Sequence, residues 1–379
     1  MKSILNENQE WINQTWEKID NKLKKVAVRS KDKLPYTAID GVHDDKTLAD
    51  PNWWTNGFWP GMMWLMYVDT KNELYKSVAE NAEKLLDGAF KKYDELHHDT
   101  GFMWDISAGV NYRITGNNES KTRFMLAASV LFSRFNLKGN YIRAWNAWEG
   151  VEETHIGWSI IDCMMNIPLL YRASEETKDP RFTYVAEKHA EMVMRDHIRP
   201  DGSVVHIVSH NPMNGDVIET FGGQGYEVGS SWSRGQAWAL YGFILSYIHT
   251  GKEEYLNTAK QVAHYFIANI YDDFLPKSDF RSPDKPVIFD TTAGACAACG
   301  LIEIANNVPE FQKNIYLNAA IKILRAMEEK FCNWEENNDS ILQGGTEAYN
   351  SGHHMPIIYG DYYFIEALYK LRGNKMLFW

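Results

Sequence analysis

The feature that most constrains this chain is a recurring pattern. An apolar stretch runs into a short polar turn, and a second, more charged amphipathic stretch follows. The turns read DTKNELYKSVAE from Asp69, ITGNNESKTRFM from Ile114, ETKDPRFTYVAE from Glu176 and HTGKEEYLNTAK from His249, with a looser NNVPEFQKNIYL from Asn306. Gly, Asn, Asp or Pro ahead of an aromatic or long residue is a helix stop followed by a helix start. After the turns the spacing is helical: Tyr255, Ala259, Val262, Tyr265 and Phe266 fall on one stripe. Before them, IIDCMMNIPLLY and GQAWALYGFILSYI are apolar nearly all round, which marks helices buried on every side.

Five such hairpins precede a last buried helix, GDYYFIEALYKL from Gly360, while a stretch from about Asn8 to Lys25 is an amphipathic helix without a partner. Joining those two supplies a sixth pair and closes a ring. The expectation is an all-α fold: an α/α barrel of six helical hairpins, one domain over residues 1–379, with buried helices inside and amphipathic ones outside. Strand-like runs such as GSVVHIVS are short and fit hairpin loops at one end.

A chain that is 45% hydrophobic and 23% charged can bury a large core. Its net charge of −11 argues against nucleic acid as a partner, because that needs a basic face. No apolar run reaches the roughly 18 residues of a membrane span, and MKSILNENQEWINQTWEKID lacks the basic-then-apolar order of a secretory signal. The protein is expected to be cytoplasmic, with no membrane partner. Four cysteines are too few for a disulfide framework. The CxxC of Cys296 and Cys299 lies in TTAGACAACGLIEIA, which reads as tight helix packing, with no second CxxC to complete a zinc site.

In such a barrel the loops leading into the inner helices converge on one mouth. These loops read PNWWTNGFWPG, HHDTGFMWDIS, THIGWSIIDCMMN, GSSWSRGQAW, FDTTAGAC and IIYGDYYF. They hold Trp53, Trp54, Trp59, Trp104, Trp158, Trp232 and Trp238, either as a carbohydrate cleft or as core packing. Asp162, flanked by Ile160, Ile161, Cys163, Met164 and Met165, is expected to open a buried helix. Desolvation there raises a carboxyl pKa and suits a general acid, whereas the bland reading is an N-cap. Asp99 beside His98 is the second carboxylate, and paired carboxylates are usual equipment for glycosidic chemistry. His206 could donate to a substrate hydroxyl or be structural. His97, His98, His353 and His354 lack the spacing of a zinc helix, so no metal or other cofactor is expected.

The motifs HHDTGF, IIDCMMNIPLL, WSRGQAWALYGF and GDYYFIEAL, in this order, resemble those of the unsaturated glucuronyl hydrolases of glycoside hydrolase family 88. The similarity runs from WWTNGFWPG to GDYYFIEAL. It implies an α/α barrel of six hairpins, no metal, and release of a 4,5-unsaturated uronic acid from the non-reducing end of lyase-generated glycosaminoglycan oligosaccharides. The reaction it implies is hydration of the C4=C5 double bond. By the same resemblance Asp162 protonates C4 and assists water at C5, and Asp99 is the second required carboxylate. Trp54, His98, Trp145, His206, Gln224, Arg234 and Trp238 would line the pocket, with Arg234 as counter-charge to the anionic substrate.

One departure concerns sulfate. Some family members read it through a Ser-x-x-Ser-x-Lys pattern before the last helix, where this chain has TEAYNSGHHMPIIYGDYY. His353 and His354 are the candidates for that role. Two other readings stay open: an unsaturated rhamnogalacturonyl hydrolase acting on pectin fragments, and a non-catalytic glycan-binding or epimerase-type barrel.

Overall fold

A computed structural model describes residues 4–147 and 153–379. Its helices form an α/α barrel of six hairpins. Helix α1 (Ile4–Arg29) is followed by the pairs α2 (Phe58–Thr70) with α3 (Glu73–Leu85) and α4 with α5 (Asn118–Ser133). Helix α4 is composite: Thr100–Trp104 and Val110–Thr115 flank a π-helical turn, Asp105–Gly109. The pairs α6 (Pro168–Thr177) with α7 (Arg181–Asp196), α8 (Ser233–Thr250) with α9 (Glu253–Ala268), and α10 (Thr291–Asn307) with α11 (Glu310–Phe331) come next. The last inner helix, α12 (Ile358–Leu371), packs on α1, which also touches α3 and α11 and so closes the ring.

The polar turns seen in the sequence work by one device. Lys71, Gly116, Lys178 and Gly251 adopt φ of 57°, 74°, 57° and 71°, the left-handed conformation that ends a helix. Each follows a threonine (Thr70, Thr115, Thr177, Thr250) whose hydroxyl donates to the carbonyl four residues back. The same oxygen accepts the N–H two residues ahead, so one side chain finishes one helix and starts the next. The fifth turn, at Val308–Pro309, relies instead on proline.

Burial follows the two helix types. Every residue of α8 from Ser233 to Ser246 is buried. Helix α9 buries Tyr255, Ala259, Val262 and Phe266 from the expected stripe, while Tyr265 stays half-buried at its edge. Apolar contacts run without a break from α1 through the inner helices to Trp379. Cys296 and Cys299 are fully buried in α10, and Cys299 Sγ donates to the Tyr363 carbonyl. Among the described residues no helix is long and apolar enough to cross a membrane.

The runs expected as loop strands form an antiparallel sheet of β1 (Trp158–Ile160), β2 (Ile207–His210) and β3 (Val217–Phe221). This sheet matters because β1 runs directly into Asp162 and His206 directly precedes β2. Ile161 N donates to His206 O at 3.1 Å, locking the two segments together.

Candidate active site

A pocket of about 670 Å³ opens at the end of the barrel where the inner helices begin. Trp53 and Trp54, ahead of α2, form one side. Asp94, Glu95, His97 and Asp99 come from the segment before α4, and Trp145, Asn146, Ala147 and Asp162 from the segments before α6. Gln224, ahead of α8, completes the lining. Exposure orders the pocket by depth: Asp94 and Glu95 are exposed at the rim, and Asp99 is 6% exposed at the base.

Asp162 does not open a helix, as its sequence context suggested. It lies on a 3₁₀ turn, Ile161–Met165, and α6 begins only at Pro168. It is not the N-cap of either element, so the capping reading is not supported. Ile161, Cys163, Met164 and Met165 are fully buried, whereas the Asp162 side chain is 15% exposed, because it points out of that apolar run into the pocket. Its Oδ2 faces His206 Nε2 at 3.6 Å.

Asp99 immediately precedes α4. His97 Nδ1 lies 3.2 Å from Oδ2 and His98 Nε2 lies 3.5 Å from Oδ1. The adjacent histidines flank one carboxylate from two directions because this stretch is a turn, where successive side chains can converge. Burial pushes the Asp99 carboxyl up, but His98, His97 and an Asn166 hydrogen bond outweigh it and hold it below the usual range. Burial also holds His98 down to about 4, so its ring is neutral at physiological pH.

Asn166 links the Asp99 carboxylate to the backbone of Asp162. Its Nδ2 donates to Asp99 Oδ1 at 3.0 Å and to the Asp162 carbonyl at 3.1 Å, while its Oδ1 accepts Phe102 N at 2.8 Å. A Cβ on Gly101 would lie 2.5 Å from Asn166 Cα, so this close approach needs glycine. One amide therefore fixes the turn carrying Asp162 against the turn carrying Asp99. Two carboxylates on an aromatic-walled cleft can exchange protons with a sugar ring held between tryptophan faces.

No family model matches the chain. Its relatives are informative. An unsaturated glucuronyl hydrolase from Bacillus sp. (strain GL1) is 33% identical over 355 residues, covering 92% of this chain and 93% of that protein. An unsaturated chondroitin disaccharide hydrolase from Streptococcus pneumoniae is 33% identical over 344 residues, covering 88% of this chain and 85% of that one. The chain belongs to the unsaturated glucuronyl hydrolases. A crystal structure of an unsaturated glucuronyl hydrolase from Bacillus sp. GL1 matches this fold with a TM-score of 0.87 at 33% identity, over 94% of this chain and 96% of that one. The enzyme is thus a glycosidase of that family, built on the barrel its repeat implies.

The structure divides the expected site residues into three groups. Trp54, Asp99, Trp145, Asp162 and Gln224 line the pocket. His98 and His206 are buried directly behind the two carboxylates, at 1% and 4% exposure. Arg234 and Trp238 depart from expectation. Trp238 is fully buried below the pocket, packed on Phe102, Tyr359 and Tyr363, because it sits one turn into an all-buried helix. Arg234, 1% exposed, is already neutralised: Nη1 pairs with Asp290 Oδ2 at 2.6 Å and also donates to Thr346 O, and Nη2 donates to Glu347 O at 2.6 Å. Its guanidinium lies over Trp232 and Tyr359 instead of reaching the mouth as a free cation.

His353 and His354 are also committed to the backbone. His353 Nε2 donates to Tyr349 O at 2.7 Å, and His354 Nε2 accepts Phe289 N at 3.0 Å. Sequence reasoning missed Asn166 and Asn146. The first carried a signal, as the one polar residue after Asp162 in MMNIPLL; the second sits in an unremarked loop.

Proposed function

We propose that the enzyme removes the non-reducing-end 4,5-unsaturated uronic acid from lyase-generated glycosaminoglycan oligosaccharides of the chondroitin, hyaluronan or heparin type. The observation that carries this is the pair of carboxylates, Asp99 and Asp162, opening on one tryptophan-walled pocket on two turns that Asn166 holds together. Asp162 gives its proton to C4, and water adds to C5 while returning a proton to the Asp162 carboxylate, which converts the enol ether into a hemiketal. The hemiketal opens to a ketone, and the hemiacetal left at C1 releases the shortened saccharide. Asp99, ionised, accepts hydrogen bonds from ring hydroxyls and orients the ring. Trp54, Trp145 and Gln224 form the walls, and His98 and His206 hold the carboxylates in place. Four free cysteines, three of them buried, agree with a cytoplasmic setting.

The test is optical. Lyase-made disaccharides absorb in the ultraviolet through their double bond, and hydration removes that band. Steady bleaching of chondroitin, hyaluronan or heparin disaccharides supports the reading; bleaching of pectin-derived fragments alone would move the enzyme to the rhamnogalacturonyl class. No bleaching of any of them would leave only saccharide binding.

A further inference from the structure

The two walls of the pocket come from separate loops, Asp94–Asp99 and Trp145–Ala147, and neither belongs to a long helix. Something must set their separation. Arg134, directly after α5, sits behind both. Its Nε donates to Arg143 O at 2.8 Å and Nη2 to Ala144 O at 3.0 Å, on the side of Trp145. Nη1 donates to Leu96 O at 3.1 Å, on the side of Asp99, and to Asn146 Oδ1 at 2.9 Å. Asn146 returns the link, its Nδ2 donating to Asp94 O at 3.1 Å and Leu96 O at 3.0 Å. His98 N donates to Ala144 O at 3.1 Å.

We propose that Arg134 is a positioning residue for the reaction: its guanidinium fork staples the Asp94–Asp99 wall to the Trp145 wall and so sets the width of the pocket in which the sugar ring is held. Three observations favour this over a bland surface arginine. Its acceptors are three carbonyls and an amide, and among the described residues no carboxylate lies within ion-pair distance of it. A cation whose described acceptors are all neutral is used for its donor geometry. The C-terminal end of α5 supplies a favourable field for that charge. The acceptors also alternate between the two walls, which a point-charge lysine cannot reproduce with a single ammonium. Burial still brings the guanidinium only down to about 10, so it stays charged at neutral pH.

Ala144 O keeps the His98 N–H and Leu96 O keeps the Asn146 amide when the fork is removed, so the loops lose spacing without losing every tie. An ångström of misplacement can cost about a hundredfold in rate. The experiment compares wild type, Arg134→Met, Arg134→Lys and Asn146→Ala on an unsaturated disaccharide, with melting temperature and with the dissociation constant from pocket tryptophan fluorescence. The inference rests on the hydration reading for its kinetic readout alone. Failure of wild type to bleach the substrate would count against that reading, while the fluorescence titration still tests the staple.

Arg134→Met is expected to raise KM and the dissociation constant about tenfold and to lower kcat as well, with Arg134→Lys between it and wild type. Asn146→Ala should shift the same constants in the same direction, and the double variant should cost less than the sum. A purely structural role removes folded molecules: it lowers apparent kcat and melting temperature but leaves KM and the dissociation constant unchanged. That pattern in Arg134→Lys and Asn146→Ala overturns the proposal, whether or not Arg134→Met folds.

Discussion

His206 Nε2 stands 3.6 Å from Asp162 Oδ2, and the opposite side of the same ring accepts the Gln224 backbone N–H at 3.0 Å. That second contact fixes the tautomer. A nitrogen that accepts an N–H carries no proton of its own, so in the neutral ring the proton is on Nε2, facing Asp162. The 3.3 Å approach of Nδ1 to Gly222 O is then a contact, not a hydrogen bond. Gly223, at φ +57°, makes room: a Cβ there would lie 2.1 Å from Nδ1. His206→Ala is expected to lower kcat about a hundredfold, within the range of acid–base contributions, with a smaller change in KM. Gly223→Ala should move kcat the same way by displacing the ring. Unchanged kcat in both variants would remove His206 from the mechanism.

Asp162→Asn keeps the shape of the side chain and removes the transferable proton. Turnover should fall by at least about 10² to 10⁴, the usual weight of a general acid, while disaccharide binding followed by tryptophan fluorescence persists. Turnover above about a tenth of wild type would assign the proton to another group.

The atoms of His97, His98 and Asp99 that could take a metal ion lie within 4.8 Å of one another, so the sequence expectation of no metal needs a direct test. The surroundings oppose a cation: Asp99 already accepts Asn166 Nδ2, and the Arg134 guanidinium acts on the field felt by His98. Dialysis against a chelator is therefore expected to leave the bleaching rate unchanged. Loss of rate with recovery on adding zinc would establish a metal site there.

The barrel was legible because one physical pattern, buried helix, polar turn, amphipathic helix, repeats along the chain and leaves no other way to cover the inner faces. The site was legible where a residue's chemistry is unusual for its place, as with Asp162 in an apolar run or Trp54 in a loop. Depth was not. Trp238 lies one turn into α8 and is carried into the core, while Arg234, at the start of the same helix, is turned inward onto Asp290 and the carbonyls of Thr346 and Glu347. Asn166 reaches Asp99 and Phe102, and Arg134 reaches Leu96, all more than thirty residues away, and hydrogen bonds across such distances leave no spacing signal.

Asp105 is fully buried on the π-helical turn of α4, and neither carboxylate oxygen has a hydrogen-bond partner among the described residues. Arg172 Nε is 3.8 Å away. Burial pushes this carboxyl up to about 6, against the opposing pull of Arg172 and Arg113. The folded state then holds the proton more tightly than the unfolded chain. Its contribution to stability is full below about pH 4 and is lost as pH rises through about 6, a loss of ~3 kcal/mol for a shift of about two units. Asp105→Asn should therefore gain in melting temperature relative to wild type between pH 4.5 and pH 7.5. A difference that is flat or reversed across that range would mean the Arg172 pair, not desolvation, controls this group.

Arg234 was expected to reach the mouth as counter-charge to an anionic saccharide, and its geometry leads to a different experiment. The guanidinium pairs with Asp290 and donates to the carbonyls of Thr346 and Glu347. The Gln224 side chain donates to the same Glu347 carbonyl at 2.7 Å, and Tyr349 N donates to Gln224 O at 2.8 Å. Arg234 thus holds the 346–349 loop against the residue that lines the pocket. Removing one partner of a buried ion pair typically costs about 3–5 kcal/mol, because the other charge is left unpaired. Arg234→Ala is expected to lose several degrees of melting temperature and to weaken sulfated and unsulfated disaccharides by similar factors, since a neutralised guanidinium projects little net field into the pocket. Asp290→Asn should reproduce the stability loss, because it leaves the Arg234 guanidinium buried without its carboxylate. If Arg234→Ala instead melts like wild type and loses about tenfold more affinity for a sulfated than for an unsulfated disaccharide, a charge-assisted contact of roughly 1.5–3 kcal/mol reaches the substrate directly.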